Sequence, residues 1–272
     1  MLDHLGQRIS IMKKFLFFLV LVLTKTVFAN PTLATLATLG AGSACYEEDL
    51  TWTPASGTLV GLWHLNNNLL ATVGPNMTAS GSTFTATSKL GAAAVSLNGS
   101  STTFAASSTT YAFANQTFTV AAWVKTTSGG VVVSNGGSGL GWFMAVASGR
   151  LEVFLKNCVN NQVSMVSAAS NLQDGNWHHA VAIIHTDTTV EANNTIQTYV
   201  DGMISLGTLV LPGTGPYCDP GAIAPLGLGA RDLEYTANGF YTGSIDEVSV
   251  WNSALTPQQI KTIYDQQSCG KN

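Results

Sequence analysis

From Leu59 to Trp251 the sequence is a succession of short apolar or alternating segments, separated by turns of glycine, asparagine, serine and aspartate–glycine. Within one segment, Phe118, Val120 and Val124 are spaced two or four residues apart, as on one face of a β-strand. The segments follow each other closely and leave no room for helices between them. This pattern predicts an all-β protein in which antiparallel strands form a two-sheet sandwich.

The apolar segments and the turns between them predict the bounds of the strands and two of the hairpin turns. Ser148-Gly149 and Asp201-Gly202 each separate two apolar runs by two residues, and the second pair is typical of a type I′ hairpin turn. The predicted strands are Leu59–Leu65, Ser82–Thr87, Ala92–Leu97, Thr117–Lys125, Gly130–Ser134, Gly141–Ala147, Arg150–Leu155, Gln162–Ala168, Trp177–His185, Thr195–Val200, Met203–Leu206, Leu226–Ala230 and Gly243–Trp251.

The composition supports this assignment and excludes several other classes. Charged residues make up only 10% of the chain, too few for the polar faces of helical bundles or coiled coils. The formal net charge is −4 and there is no basic stripe, so we expect no nucleic acid partner. Hydrophobic residues make up 46%, which is enough to form a large buried core.

The N-terminal segment has the features of a secretory signal. Lys13-Lys14 precede the apolar run Phe15–Leu23, and Val27-Phe28-Ala29 offers small residues at the cleavage positions. The apolar run is too short to span a bilayer, so we expect no transmembrane segment in the mature chain. The start is either Met1 or Met12. We predict a signal peptide over residues 1–29, a Thr/Ala/Leu-rich spacer over 30–56, a folded domain over 57–272, and a secreted, cell-surface or periplasmic location.

One helix is predicted, at the end of the chain. Thr256 can serve as the N-cap, Pro257 stands at the first helical position, and Gln259 completes a capping box. Leu255 and Ile260 occupy the two positions of a hydrophobic staple. The helix should therefore begin at Pro257 and pack its apolar side on a sheet.

Four cysteines remain after cleavage of the signal: Cys45, Cys158, Cys218 and Cys269. An even number in an exported chain predicts two disulfides, for which the sequence alone allows three connectivities. The spacing contains no CxxC pair, which argues against a zinc or thioredoxin-type site.

Several stretches of the chain resemble the bacterial laminin-G-like branch of the concanavalin A-like lectin/glucanase superfamily. The stretches are Phe118–Lys125 (FTVAAWVK), Leu172–Val181 (LQDGNWHHAV), Gly243–Pro257 (GSIDEVSVWNSALTP), Gly61–Leu65 (GLWHL) and Val95–Ser100 (VSLNGS). The resemblance implies a two-sheet antiparallel jelly roll, used in exported proteins as a sugar- or protein-binding module. It also implies terminal strands that lie together, from which we predict the disulfides Cys45–Cys269 and Cys158–Cys218.

The resemblance implies a metal site as well. In several members of the superfamily an aspartate on the last long strand binds a structural Ca²⁺ together with backbone carbonyls, and Asp246 matches that position. The turn at Asn98-Gly99 could supply such a carbonyl. We therefore predict Ca²⁺ at Asp246, with one alternative: an aspartate whose hydrogen bonds tie the final strand to its neighbour.

Catalysis is not expected. Glycosidases need two carboxylates on one face, and the neighbours Asp246 and Glu247 should point to opposite faces of a strand. His178 and His179 are also neighbours and so cannot share one ligand. We predict a non-catalytic binding or adhesion module, with a glycan or a cell-surface protein as its partner. A protein-interaction or structural domain is the alternative, and a glycosidase or polysaccharide lyase is the third.

A sugar site is predicted on the cysteine-containing loops, because loops hold polar groups free to meet a ligand and aromatic faces stack on sugar rings. The stacking residues would be Tyr217 and Tyr235, and the polar contacts Asn157, Asn160, Asp219 and Arg231.

Overall fold

The computed structural model describes residues 59–100, 104–136, 140–156, 162–167, 171–205, 207–211, 216–219, 225–231 and 239–268. The predicted signal peptide and spacer lie outside these residues. The described part contains fifteen strands, a short 3-10 turn at Glu191–Asn193, and one α-helix, α1 (Pro257–Ser268). The strands are β1 (Leu59–Trp63), β2 (Met77–Ser80), β3 (Thr83–Thr85), β4 (Ala94–Asn98), β5 (Phe104–Thr110), β6 (Thr117–Asn135), β7 (Trp142–Ala147), β8 (Arg150–Lys156), β9 (Gln162–Val166), β10 (Trp177–His185), β11 (Thr195–Val200), β12 (Met203–Ser205), β13 (Thr208–Leu211), β14 (Pro225–Leu228) and β15 (Thr242–Trp251).

The strands form two antiparallel sheets that share the long strand β6. In sheet A the order is β12–β11–β10–β6–β15; β4 pairs with the first half of the far edge of β15, β1 pairs with the second half, and β3 lies beyond β4. In sheet B the order is β13–β9–β8–β7–β6–β14–β5–β2. The predicted all-β fold class, a two-sheet antiparallel jelly-roll sandwich, is therefore confirmed.

Strand β6 joins two segments that the sequence predicts as separate strands. Its residues 117–125 pair with β10 in sheet A, and its residues 130–135 pair with β7 in sheet B. The chain passes from one sheet to the other at Gly129 and Gly130, which both have positive φ. A Cβ at Gly130 would meet the carbonyl oxygen of Phe240 and lie 2.5 Å from Cα of Tyr241, so the crossing needs glycine.

The core lies between the two sheets, and the alternation along each strand decides what enters it. In β7, Trp142, Met144 and Val146 face sheet A, while Phe143 and Ala145 face the opposite way. Burying a large apolar side chain stabilises a fold by about 1.5–3 kcal/mol. The core contains many such side chains, among them Trp63, Phe118, Leu151, Leu155 and Tyr241.

The helix α1 covers the outer face of sheet A. Its capping box forms as predicted: the Thr256 amide donates to Oε1 of Gln259 at 2.7 Å, and the Gln259 amide donates to Oγ1 of Thr256 at 3.3 Å. Ile260 is buried against this face, and Nε1 of Trp123 donates to Oε1 of Gln267 at 2.7 Å. Sheet A is thus packed on both sides, by sheet B on one and by α1 on the other.

The two short turns also form as predicted. Ser148 and Gly149 have φ values of 50° and 74°, and Asp201 and Gly202 have 51° and 74°, as type I′ turns require. Three strands were not predicted: β2 and β5 consist largely of Thr, Ser and Ala, and β13 is a run of four residues, so none of them shows an apolar alternation. Within the described ranges no helix is both long and apolar enough to cross a membrane.

Candidate functional site

The outer face of sheet B carries a hydrophobic cluster that is separate from the main core. It consists of Val131, Phe143 and Ala145, with Phe154 packed against them. The register explains the cluster, because Val131 lies opposite Ala145 and Phe143 lies opposite Phe154 on neighbouring strands. Side chains opposite one another in an antiparallel pair share one face and touch. The strand pairing therefore builds an apolar patch on the side that faces away from sheet A.

Three planar groups stand in a row on this patch. The rings of Phe143 and Phe154 stack with their centroids 4.4 Å apart and an interplanar angle of 22°. The guanidinium carbon of Arg231 lies 5.1 Å from the centroid of Phe143, within the range of a cation–π contact. We call Arg231, Phe143 and Phe154 the aromatic ladder.

A hollow of about 460 Å³ adjoins the aromatic ladder. Its lining includes the small or compact residues Gly130, Val131 and Ala145, and the hydroxyl groups of Ser128 and Ser148. Binding pockets for small molecules range from about 300 to 1,000 Å³. The hollow therefore has the volume to hold a small polar ligand against an aromatic wall.

Glu152 is the acidic residue of this hollow. It lies opposite Ala145 on β8 and two residues from Phe154, so its side chain shares their face. The side chain is partly buried, and no hydrogen bond or ion pair joins it to the described residues. Burial raises the pKa of the Glu152 carboxyl above its ordinary value. A carboxylate that has lost solvent without gaining a partner can accept hydrogen bonds from a ligand.

The number of carboxyl groups in the hollow can be compared with what hydrolysis of a glycosidic bond needs. Such hydrolysis normally uses two carboxyl groups roughly 5–10 Å apart. Among the described lining residues Glu152 is the one carboxyl group. The described lining therefore combines one carboxyl group with an aromatic wall and holds no pair of carboxyl groups.

Those residues of the predicted ligand site that the structure describes do not all lie together. Arg231 belongs to the aromatic ladder and lines the hollow. Tyr217 is only 2% exposed and packs in the main core, a position that does not fit a stacking platform for a sugar. Asp219 is partly buried, and its Oδ1 atom is enclosed with no hydrogen-bond partner among the described residues. Tyr235, Asn157 and Asn160 lie outside the described residues.

Sequence reasoning missed Phe143, Glu152 and Phe154. Both predicted strands, Gly141–Ala147 and Arg150–Leu155, were correct to within a residue at each end, and the turn between them was recognised. The alternation along each strand separates these side chains from Met144 and Val153, which face the core. The two-residue turn at Ser148-Gly149 sets the register of these two strands, and that register pairs Phe143 with Phe154. The sequence therefore contained the information that these two residues are neighbours.

Cys218 is hydrogen-bonded to the end of β8. Its amide donates to the carbonyl oxygen of Lys156 at 2.9 Å, and its own carbonyl accepts from the Gly141 amide at 2.9 Å. Cys218 is disulfide-bonded, and the other half of that bond lies outside the described residues, as do Cys45, Cys158 and Cys269. The two predicted pairings stay predictions.

Asp246 is fully buried at the point where β15 meets the loop before β4. Its Oδ2 atom accepts from the amides of Lys89 at 2.8 Å and Leu90 at 3.1 Å, and its Oδ1 atom accepts from the Glu247 amide at 3.1 Å. Burial, and after it the charge of Glu247, raise the pKa of Asp246 to about 8.

These surroundings do not fit the predicted calcium site. Calcium binds oxygen atoms, and the groups facing this carboxylate are N–H donors. Asn98 pairs with Thr242, four residues before Asp246, so the Asn98-Gly99 turn lies about 13 Å away along the strand. The arrangement matches the alternative in which Asp246 ties the final strand to a neighbouring segment.

Glu247 follows Asp246 in a β-bulge of β15 and adopts a φ of 47°. The bulge places both carboxyl groups in the interior, although neighbours on a regular strand would point to opposite faces. Oε2 of Glu247 lies 2.9 Å from Nδ1 of His64. Burial raises the pKa of Glu247, and the hydrogen bond to His64 opposes that rise.

His178 and His179 point to opposite sides of sheet A, as the sequence predicts. His178 lies between two carboxylates, with Nδ1 2.8 Å from Oδ2 of Asp201 and Nε2 3.2 Å from Oδ1 of Asp174. His179 is buried 5.2 Å from the ring of Trp123, and burial lowers its pKa to about 4. The two imidazoles do not form a joint metal or catalytic site.

Comparison with known proteins identifies the family of this chain. The model of a laminin-G-like family of the concanavalin A-like lectin/glucanases superfamily matches residues 97–261, which is more than half of the chain. No curated protein sequence matches the chain significantly.

Solved structures share the fold at low identity. The binding domain of Paraclostridial Mosquitocidal Protein 1 aligns with a TM-score of 0.56 and 12% identity over 76% of this chain and 51% of that one. The botulinum neurotoxin serotype G binding domain gives 0.57 and 13% over 78% and 52%. The binding domain of botulinum neurotoxin DC, in complex with rat synaptotagmin II, gives 0.56 and 13% over 78% and 52%.

The chain spans about half the length of these binding domains, and at such identities the likeness shows the fold alone. The family match rests on residues 97–261, which run from the end of β4 into α1 and include the aromatic ladder and Glu152. The chain therefore belongs to the concanavalin A-like lectin/glucanase superfamily, in its laminin-G-like branch.

Proposed function

We propose that this chain is an exported, non-catalytic binding module that takes a carbohydrate in the hollow beside the aromatic ladder. One observation carries the proposal: Glu152, a carboxylate without a partner among the described residues, shares a face with the stacked rings of Phe143 and Phe154. Sugars present an apolar C–H face and a fringe of hydroxyl groups. An aromatic wall and a desolvated acceptor side by side complement both features.

Export and adhesion belong to the same proposal. The apolar run after Lys13-Lys14 and the small residues at Val27-Phe28-Ala29 favour cleavage of a signal, after which the domain would act at the cell surface, in the periplasm or outside the cell. Tyr235, Asn157 and Asn160 stay proposed as further contacts to the ligand, because Arg231 of the same predicted set lines the hollow.

A protein partner is the second candidate. A binding domain with the same fold has been solved in complex with a protein, rat synaptotagmin II. A protein ligand could place an aliphatic side chain against Phe154 and a hydroxyl or amide group on Glu152. This candidate predicts no measurable affinity for free sugars.

Glycan binding by the full exported chain tests the proposal. We expect binding to a subset of oligosaccharides on an array, and a loss of about tenfold or more for Phe154→Ala, as for other aromatic contacts at binding sites. Met203→Ala is the matched control, because Met203 is 63% exposed on sheet A, away from the hollow. Equal binding by both variants, or no glycan binding by the unaltered chain, would contradict the proposal.

A further inference from the structure

We infer that the ligand of the hollow is an uncharged sugar, and that Glu152 is the residue that rejects the corresponding acidic sugar. This inference rests on the proposed function and adds to it the charge class of the ligand. It follows from where the two charged groups of the hollow lie relative to its apolar wall.

Glu152 lies in the row of residues that lines the hollow. The pairing of β6, β7 and β8 aligns Val131, Ala145 and Glu152 across the outer face of sheet B. Val131 and Ala145 are short, so a ligand that fills the hollow rests on them and reaches the carboxylate at the end of the row. We expect a sugar ring seated there to come within hydrogen-bonding distance of Glu152.

Arg231 does not turn the hollow into an anion site. Its guanidinium packs over the ring of Phe143, on which Phe154 also stacks. The positive charge therefore lies against the ring of Phe143 in the wall of the hollow, while the negative charge of Glu152 lies at the end of the Val131–Ala145 row. The two formal charges sum to zero, so the described lining has no net positive charge that would favour an anionic ligand.

The state of Glu152 also favours hydroxyl donors. No described residue donates a hydrogen bond to its carboxylate, although the side chain is partly buried. A neutral sugar brings several hydroxyl donors and restores the hydrogen bonds that burial has removed. A uronic acid brings a second carboxylate into the same small volume. Two like charges about 6 Å apart at an effective dielectric constant of about 40 weaken binding by about tenfold.

The experiment compares pairs of disaccharides that differ only at C6, one with a primary alcohol and the other with a carboxylate. Gluco-, galacto- and manno-configured pairs are titrated calorimetrically into the full exported chain at pH 7.5. We expect at least one neutral member to bind about tenfold more tightly than its acidic counterpart. Glu152→Gln should reduce that ratio to about threefold or less, because the amide keeps the shape and removes the charge.

Asp265→Asn is the matched control. It removes the same charge from an exposed carboxylate of α1, on the outer side of sheet A, and should leave the ratio unchanged. Equal or tighter binding of the acidic member by the unaltered chain overturns the inference and leaves the proposed function standing. A ratio of neutral to acidic affinity that Glu152→Gln does not change also overturns the inference and leaves the proposed function standing. Failure of every sugar to bind contradicts the proposed function, and the inference with it.

Discussion

The Nδ1 atom of His178 lies 2.8 Å from the Oδ2 atom of Asp201, and this contact joins strand β10 to the turn between β11 and β12. The other carboxylate oxygen of Asp201 accepts a hydrogen bond from the amide of His179 at 2.9 Å. Asp201 is also the first residue of the type I′ turn, with a φ of 51°. One carboxylate thus fixes the turn and supports the charged form of a histidine.

This contact makes the stability of the domain depend on pH. The hydrogen bond to Asp201 raises the pKa of His178 above its ordinary value, against the effect of burial. A histidine whose pKa is raised on folding stabilises the folded state fully below its unfolded pKa, about 6.5. The stabilisation is lost as the pH rises through the folded pKa. We expect His178→Gln to lower the free energy of unfolding by about 1 kcal/mol at pH 5.5 and by less at pH 8.5.

Urea unfolding of both proteins at the two pH values checks this prediction. His185→Gln is the control, because His185 bonds to the hydroxyl of Thr117 at 2.8 Å and has no carboxylate contact among the described residues. A cost of His178→Gln that stays constant from pH 5.5 to 8.5 would show that the imidazole acts only by packing.

Burial of Asp246 against three amides predicts a large structural role. Asp246→Ala leaves the amides of Lys89 and Leu90 enclosed without an acceptor, and each such group costs about 1–3 kcal/mol. We expect a total loss of about 3 kcal/mol in the free energy of unfolding, measured by urea denaturation. Asp246→Asn, which keeps one oxygen acceptor, should cost less.

The melting temperature of the unaltered chain tests the calcium prediction. Because N–H donors surround the Asp246 carboxylate, we expect the melting temperature of the unaltered chain to be the same in EDTA and in millimolar Ca²⁺. A rise in Ca²⁺ that Asp246→Asn abolishes would support the calcium site and contradict the structural role argued here.

The sequence predicted local features well and their combinations poorly. The turn at Asp201-Gly202 and the capping box of Thr256 and Gln259 depend on residues close together in the chain, and both formed as predicted. The bulge at Glu247 depends on a pairing with β6, more than a hundred residues away, and the alternation gave no sign of it. The prediction that Tyr217 lies at the surface was wrong for a similar reason. Its loop position predicted exposure, and its packing between the sheets was decided by tertiary contacts.

The crossing of β6 between the sheets predicts a severe effect of Gly130→Ala. At a φ of 120° the added methyl group would overlap the backbone of Phe240 and Tyr241, neither of which can move without shifting β15. We expect a loss of about 3 kcal/mol or more in the free energy of unfolding. Gly175→Ala is the control: its φ is also positive, at 82°, but the nearest atom to the new Cβ is a methyl group of Thr127 at 3.4 Å. Its cost should be about 1 kcal/mol.

The last prediction concerns the cysteines. The amide of Cys218 bonds to the carbonyl of Lys156, two residues before Cys158, so the backbone of Cys218 runs beside the segment that leads to Cys158. A disulfide requires Cα atoms within about 7 Å, which is the distance range that such a backbone contact favours. We therefore expect peptide mapping under non-reducing conditions to recover Cys158 joined to Cys218, with Cys45 joined to Cys269. Replacing Cys158 and Cys218 together by serine should lower the melting temperature, because a bond closing a loop of this length stabilises by up to about 4–5 kcal/mol. A peptide that joins Cys218 to Cys45 or Cys269 would contradict the pairing.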